Sequence, residues 1–359
     1  MKPRPEAYFC AIILTMSQTR WDSDSNQVPF ISLSEAEVIA IVNRALSSNA
    51  ARTSTYKFAF FKAILDNVFN VDIDTMFLSY DSIALRFTEI YWNLVLKYRL
   101  KQMVAVTSGK ITSVEHELYD FCDKYKFDYT EKNTIFPFES LKSDLQLEIN
   151  KKIKAQMMKY VVAAFCGDTD DQFYHFNKKD KSEGITLNHD VYVALVKYKS
   201  VFEKQNYYEW IKYLEKANLE EDSYALANKL DASTERQNLN QYRAVLLEFN
   251  QTRCFYCGKV LKDESENASP VDHFIPWSFV KDDKLWNFVL ACPHCNSSKS
   301  NILPDRQYFA EIKERNNKLS NIDLPIVKHD FKTYSYFKLE EMWHSAVFNG
   351  FEDGWRARG

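Results

Sequence analysis

The sequence predicts a mainly α protein with a small α+β module near its C-terminus, on three observations. Apolar residues recur at helical spacing from about residue 30 to 250. After Cys254 that texture gives way to short β-prone runs and polar turns. Two CxxC pairs then bracket the new texture. At 359 residues the chain is long enough for two domains. The pattern places a mostly helical domain over 1–235 and a cysteine-bearing domain with a helical tail over 236–359, divided where a helix leads into the first cysteine pair.

Ser34-Glu35-Ala36-Glu37 matches a capping box, and Val38, Ile41, Val42 and Leu46 follow as an apolar stripe. Tyr56 to Phe69 carries Phe60, Phe61, Ile64, Leu65 and Val68 at helical spacing, and a third helix is expected over Ile83 to Leu100. A long helix is expected from Ser140 to Phe165, with Gly167 as its C-terminal stop. Between Phe173 and Leu187 two aromatic or β-branched runs flank a polar turn and predict a β-hairpin. Helices resume from Asn188 to about Asn250 and again from Phe309 to Asn316. The aromatic-rich end, Phe331 to Trp355, is expected to pack back on the fold.

Composition narrows the class but not the function. Hydrophobic residues at 46% and aromatics at 15% suffice for a packed core, while seven glycines and nine prolines leave little room for long disordered linkers. A net charge of −3 gives no global attraction to a polyanion, so nucleic-acid binding must use a local patch. Residues 250–320 hold ten Lys or Arg against nine Asp or Glu, and no basic stripe emerges there. No apolar run approaches the roughly 18–20 residues that span a bilayer, so no membrane partner is expected. Tyr8 to Met16, after Lys2 and Arg4, resembles a signal peptide only faintly, since Glu6 interrupts the basic flank. A buried strand or helix start is the preferred reading. Cys10, Cys122 and Cys166 stand alone and far apart, unlike a secreted disulfide framework. The thiol pattern points to a reducing, cytoplasmic interior and a metal site.

Cys254, Cys257, Cys292 and Cys295 form two knuckles able to close a tetrahedral structural zinc site with no open position. Two residues between paired cysteines let a tight turn aim both sulfurs at one ion. A plain zinc ribbon would need little more than a hairpin between the knuckles, whereas 34 residues separate Cys257 from Cys292. That insert holds Asp272-His273-Phe274-Ile275-Pro276, then Trp286-Asn287-Phe288. Asn296-Ser297-Ser298-Lys299 follows the second knuckle directly. Neighbouring residues on an extended strand point to opposite faces, so Asp272 can serve one side and His273 the other. A histidine with its usual pKa near 6.5 suits general-base work at neutral pH.

The order CxxC, Asp-His-x-x-Pro, Asn, CxxC-Asn-x-x-Lys resembles the HNH endonuclease family in its zinc-supported ββα-metal form, over roughly residues 254–304. The resemblance implies a metal-dependent endonuclease that hydrolyses DNA to 5′-phosphate and 3′-hydroxyl ends, RNA not being excluded. It implies His273 as the base that activates water and Asp272 as a ligand of the catalytic metal. Asn287 would orient His273 or fix the loop between the strands. Asn296 stands where the family's final histidine belongs, giving an H-N-N variant and a second metal ligand, with a plain helix cap as the alternative. A carboxylate and an amide oxygen make a hard ligand set, which favours Mg²⁺ or Mn²⁺ over zinc or nickel. Lys299 is a candidate phosphate contact or a solvated helix charge. His294 reads as a solvent-facing knuckle residue, and Trp277 and Trp286 as core. The competing function is a non-catalytic zinc module that binds nucleic acid or a protein partner. The helical domain has no recognised family. It would serve recognition, regulation or partner binding, and the enzyme would act with a regulatory protein or as a homodimer. By family analogy such layouts occur in restriction or antiphage defence systems.

Overall fold

A computed structural model describes residues 30–47, 53–104, 110–177, 184–234, 239–249, 252–261, 270–335 and 337–357. The segment Tyr8 to Met16, with Cys10, lies outside these residues, as do positions 178–183 of the expected hairpin turn. The chain divides into two compact units, one spanning Phe30–Gln237 and the other holding Asn238–Gly359.

The first unit is helical. Helix α1 (Glu35–Leu46) opens on the expected capping box: the Ser34 hydroxyl accepts from the Glu37 amide while the Glu37 carboxylate accepts from the Ser34 amide. Its stripe Val38, Ile41, Val42 and Leu46 is buried. Helix α2 (Tyr56–Asp66) carries apolar residues on nearly every face, and such a helix must lie inside the fold. Phe58, Phe60, Phe61, Ile64 and Leu65 are all fully buried. After strand β1 (Phe77–Ser79), helix α3 (Tyr80–Tyr91) continues as a π-helical segment over Trp92–Lys97. A helix not foreseen in the sequence, α4 (Ser113–Tyr125), starts on a second capping box formed by Thr112 and Glu115.

The expected long helix is present in parts: α5 (Ser143–Met157), a π-helical turn over Met158–Val162, and α6 (Ala163–Asp168). Gly167 does not stop it. The helix runs one residue further, and the chain reverses through Asp170 and Asp171, both in the left-handed region at φ 52° and 57°. Aspartate tolerates that region because its short polar side chain can bond locally.

The expected hairpin exists as β2 (Tyr174–Phe176) and β3 (Gly184–Leu187), and β1 joins it in an antiparallel sheet of order β1-β3-β2. Gly184 makes that third strand possible, since a Cβ there would lie 2.2 Å from the Leu78 carbonyl oxygen. Helices α7 (His189–Lys197), α8 (Lys199–Ala217) and α9 (Ser223–Asp231) complete the unit. Rings from several elements close around α2: Phe61 stacks on Phe165 at 5.9 Å and Phe58 on Trp210 at 5.9 Å.

One polar cluster interrupts this aromatic core. Lys62 is fully buried on α2, with its Nζ 2.5 Å from Asp66 Oδ1 and 3.0 Å from Glu203 Oε1. Burial would pull its ammonium pKa down, but Asp66, Tyr207 and Glu203 outweigh that and hold it above the usual lysine range. Breaking a buried pair strands a charge. Asp66→Ala should therefore cost about 3–5 kcal/mol of stability. Urea unfolding followed by the helical signal measures it, and a loss under about 1 kcal/mol would show that the pair contributes little.

The second unit opens with α10 (Asn240–Glu248) and contains strand β4 (Val271–His273), the short helix α11 (Trp277–Val280), strand β5 (Phe288–Leu290) and helix α12 (Pro293–Lys299). Strands β4 and β5 pair antiparallel, with Asp272 opposite Val289 and His273 opposite Phe288. Strand, strand and following helix make the expected ββα arrangement. Helices α13 (Phe309–Leu319), α14 (Pro325–Phe331) and α15 (Lys338–Phe348) form the tail. The end does pack back: the Leu303 amide donates to the Glu352 carbonyl at 2.8 Å, and the Leu303 carbonyl accepts from the Trp355 amide at 3.1 Å. Tyr242, Leu246, Leu285, Phe288, Leu290, Leu319 and Val327 form its core.

Candidate active site

The site is built on the two cysteine knuckles. The first turns tightly because the Gly258 amide donates to the Cys254 carbonyl, with Gly258 at φ +71°. The Phe255 amide then bonds Leu290 on β5, which ties this knuckle to the strand that leads into the second. The second knuckle opens α12, and Cys292 Sγ caps that helix by accepting from the Cys295 amide at 3.4 Å. All four sulfurs lie within 4.8 Å of one another, with Cys257 and Cys292 Sγ atoms 3.8 Å apart. Zinc–sulfur bonds of about 2.3 Å in a tetrahedron set sulfurs about 3.8 Å apart, so these residues fit a zinc ion.

Strand β4 sends its two key side chains in different directions. Asp272 is buried, accepting from the Tyr256 hydroxyl at 2.6 Å and from Lys299 Nζ at 3.0 Å. Burial and the neighbouring Asp272 carboxylate push the Tyr256 hydroxyl pKa well up, so it remains a donor. Lys299 is the most enclosed member: fully buried at the end of α12, it also donates to the His273 carbonyl at 2.7 Å. This ammonium faces inward, tying helix to strand. Of the two readings of Lys299, the solvated helix charge does not hold, and a phosphate would reach it only by displacing these partners.

His273 lies on the other side. Its Nε2 is 2.7 Å from Asp283 Oδ1, and its ring meets Phe288 edge-on at 4.6 Å. Asn287 bonds Ile275 twice, accepting from its amide at 2.8 Å and donating to its carbonyl at 3.0 Å. These contacts fix the loop after β4 rather than the imidazole. Asn296 is half-buried on α12, and its side chain makes no hydrogen bond among the described residues. His294 is exposed, as expected. Trp286 is core, donating from Nε1 to the Asp330 carbonyl at 3.0 Å. Trp277 is only half-buried, with Lys281 Nζ 4.5 Å from its ring centroid, so its reading as core is corrected.

Four contributors, Asp283, Tyr256, Arg315 and Asn316, were not singled out in the sequence. Asp283 lies in the loop before β5, and Tyr256 inside the first knuckle. Arg315, on α13, is buried and donates to the Phe288 and Trp286 carbonyls on either side of Asn287, while Asn316 adds a 2.9 Å bond to Trp286. Burial pushes the Arg315 guanidinium down to about 10, which leaves it charged at neutral pH. No local spacing rule links residue 315 to residue 287, so only the fold shows this support. Because Asp272 and Lys299 are a buried pair, Lys299→Met should lower the stability of this unit by about 3–5 kcal/mol. Thermal unfolding checks it, and an unchanged midpoint would mean that Asp272 finds another partner.

Residues 254–305 match a protein family described as HNH endonuclease, and no family match covers the N-terminal region. No curated protein and no solved structure matches the chain. No helix among the described residues is long and apolar enough to cross a membrane. With its four-cysteine cluster and ββα arrangement, the C-terminal module is similar to HNH endonucleases, and the function this supports is nuclease-type cleavage of nucleic acid.

Proposed function

We propose that this chain is a metal-dependent endonuclease that hydrolyses phosphodiester bonds of DNA, with His273 as the base. The observation that carries this reading is the placement of Asp272 and His273 on β4. Both side chains are buried and have separate partners, inside a cysteine frame suited to zinc. An activated water needs a base, and a histidine held by a neighbouring strand and loop meets that need without moving.

Asp272 and Asn296 are the proposed ligands of a Mg²⁺ or Mn²⁺ ion. A carboxylate offers about four lone-pair positions, so Tyr256 and Lys299 leave room on Asp272. Asn296 lies on the helix that Lys299 ties back to β4, and its amide is uncommitted among the described residues. Hard cations of this kind take one or two protein oxygens and keep several waters. When bound, the ion would neutralise charge building on the phosphate and leaving oxygen. Asn287 keeps the backbone after His273 in place through Ile275, and we assign it a positioning role. The helical unit Phe30–Gln237 is proposed to supply recognition or regulation.

Supercoiled plasmid with Mg²⁺ or Mn²⁺ tests the activity. The wild-type chain should nick it, and His273→Ala should lower the rate by about two to four orders of magnitude. Equal nicking by both would remove His273 from the mechanism. No nicking by wild type with any divalent metal would favour a binding module. Elemental analysis should separately find about one tightly held zinc per chain, which Cys254→Ser together with Cys292→Ser abolishes. A zinc-free but folded wild-type protein would undo the frame.

A further inference from the structure

We infer that Asp283 is a positioning residue for the proposed base: its carboxylate holds the His273 ring in one tautomer, with the proton on Nε2 and the lone pair on Nδ1. The inference deepens the nuclease reading and rests on it. Three observations carry it. The Nε2–Oδ1 distance of 2.7 Å requires a shared proton, and an ionised carboxylate can only accept. Nε2 therefore donates, and in the neutral imidazole the lone pair is the one on Nδ1.

Asp283 is also an unusual carboxylate for its surroundings. Its side chain is 6% exposed, and His273 is its ion partner among the described residues, no lysine or arginine of these pairing with it. A buried carboxylate is costly unless paired, and an imidazole is a poor partner where only stability is at stake.

The backbone carrying Asp283 is fixed on both sides. Lys281 adopts the left-handed conformation at φ 56°, ending α11 and turning the chain back. The Tyr242 hydroxyl donates to the Asp283 carbonyl at 3.2 Å, and the next-but-one amide, Leu285, bonds Asp330 Oδ2 at 2.8 Å. A side chain so anchored can set the orientation of a ring ten residues earlier. Carboxylates that hold a functional histidine by its second nitrogen act in this way.

The test uses the full chain with its zinc. Asp283→Ala should lower kcat on plasmid DNA by about ten- to a hundredfold, leaving KM, zinc content and thermal midpoint near wild-type values. Asp283→Glu should restore part of the loss. Nitrogen NMR on histidine-labelled wild-type protein should show His273 protonated at Nε2, and the alanine variant should show both tautomers. Asp283→Ala turning over at the wild-type rate while His273→Ala is inactive would overturn the inference and spare the nuclease reading. A wild-type His273 protonated at Nδ1 would overturn it too, whether or not the variant folds. Wild type and His273→Ala nicking equally, or neither nicking, would instead sink the reading beneath it.

Discussion

Four sulfurs within reach of one ion are the constraint on which the C-terminal unit depends. Strands β4 and β5 are three residues each, too short to hold a register by their own pairing. What fixes them is that one knuckle is bonded to β5 through Phe255 and the other begins α12 immediately after it. Closing a long loop onto a single centre removes much of the entropy that such a module would otherwise retain. The geometry around His273 inherits its precision from that closure.

A second tier of support is polar and buried. Lys299 joins α12 to β4, Arg315 and Asn316 hold the carbonyls around Asn287, and Asp330 holds the Leu285 amide. Each contact anchors backbone, not only another side chain. Such bonds are strong where solvent is absent, and they hold fixed the residues proposed to act on substrate. Apolar packing alone would leave side chains free to slip between rotamers; directional bonds to carbonyls do not.

Much of this was legible in the sequence, for definite reasons. The cysteine spacing announces its own geometry, and the capping box at Ser34 and the stripe of α1 obey local rules that survive folding. The hairpin around Gly184 was visible too, but its third strand was not, because β1 lies about a hundred residues away. The stop at Gly167 failed where two aspartates took the left-handed positions instead. Within the site, Asp272, His273 and Asn287 could be singled out by order. Asp283, Tyr256, Arg315 and the inward turn of Lys299 could not, since their roles exist only as distances between segments far apart in the chain.

The tail that folds back has a practical meaning for anyone wishing to borrow this module. Trp343 donates to the Pro304 carbonyl, Trp355 pairs with Leu303, and Tyr256 meets Trp355 edge-on at 5.0 Å. The stretch that matches the HNH endonuclease family ends at residue 305, yet groups that steady it, Trp343 and Trp355, lie well downstream. The smallest portable cassette is thus set by its buttresses rather than by its motif, and a graft trimmed to the motif would carry Asp272 and His273 without the scaffold that aims them.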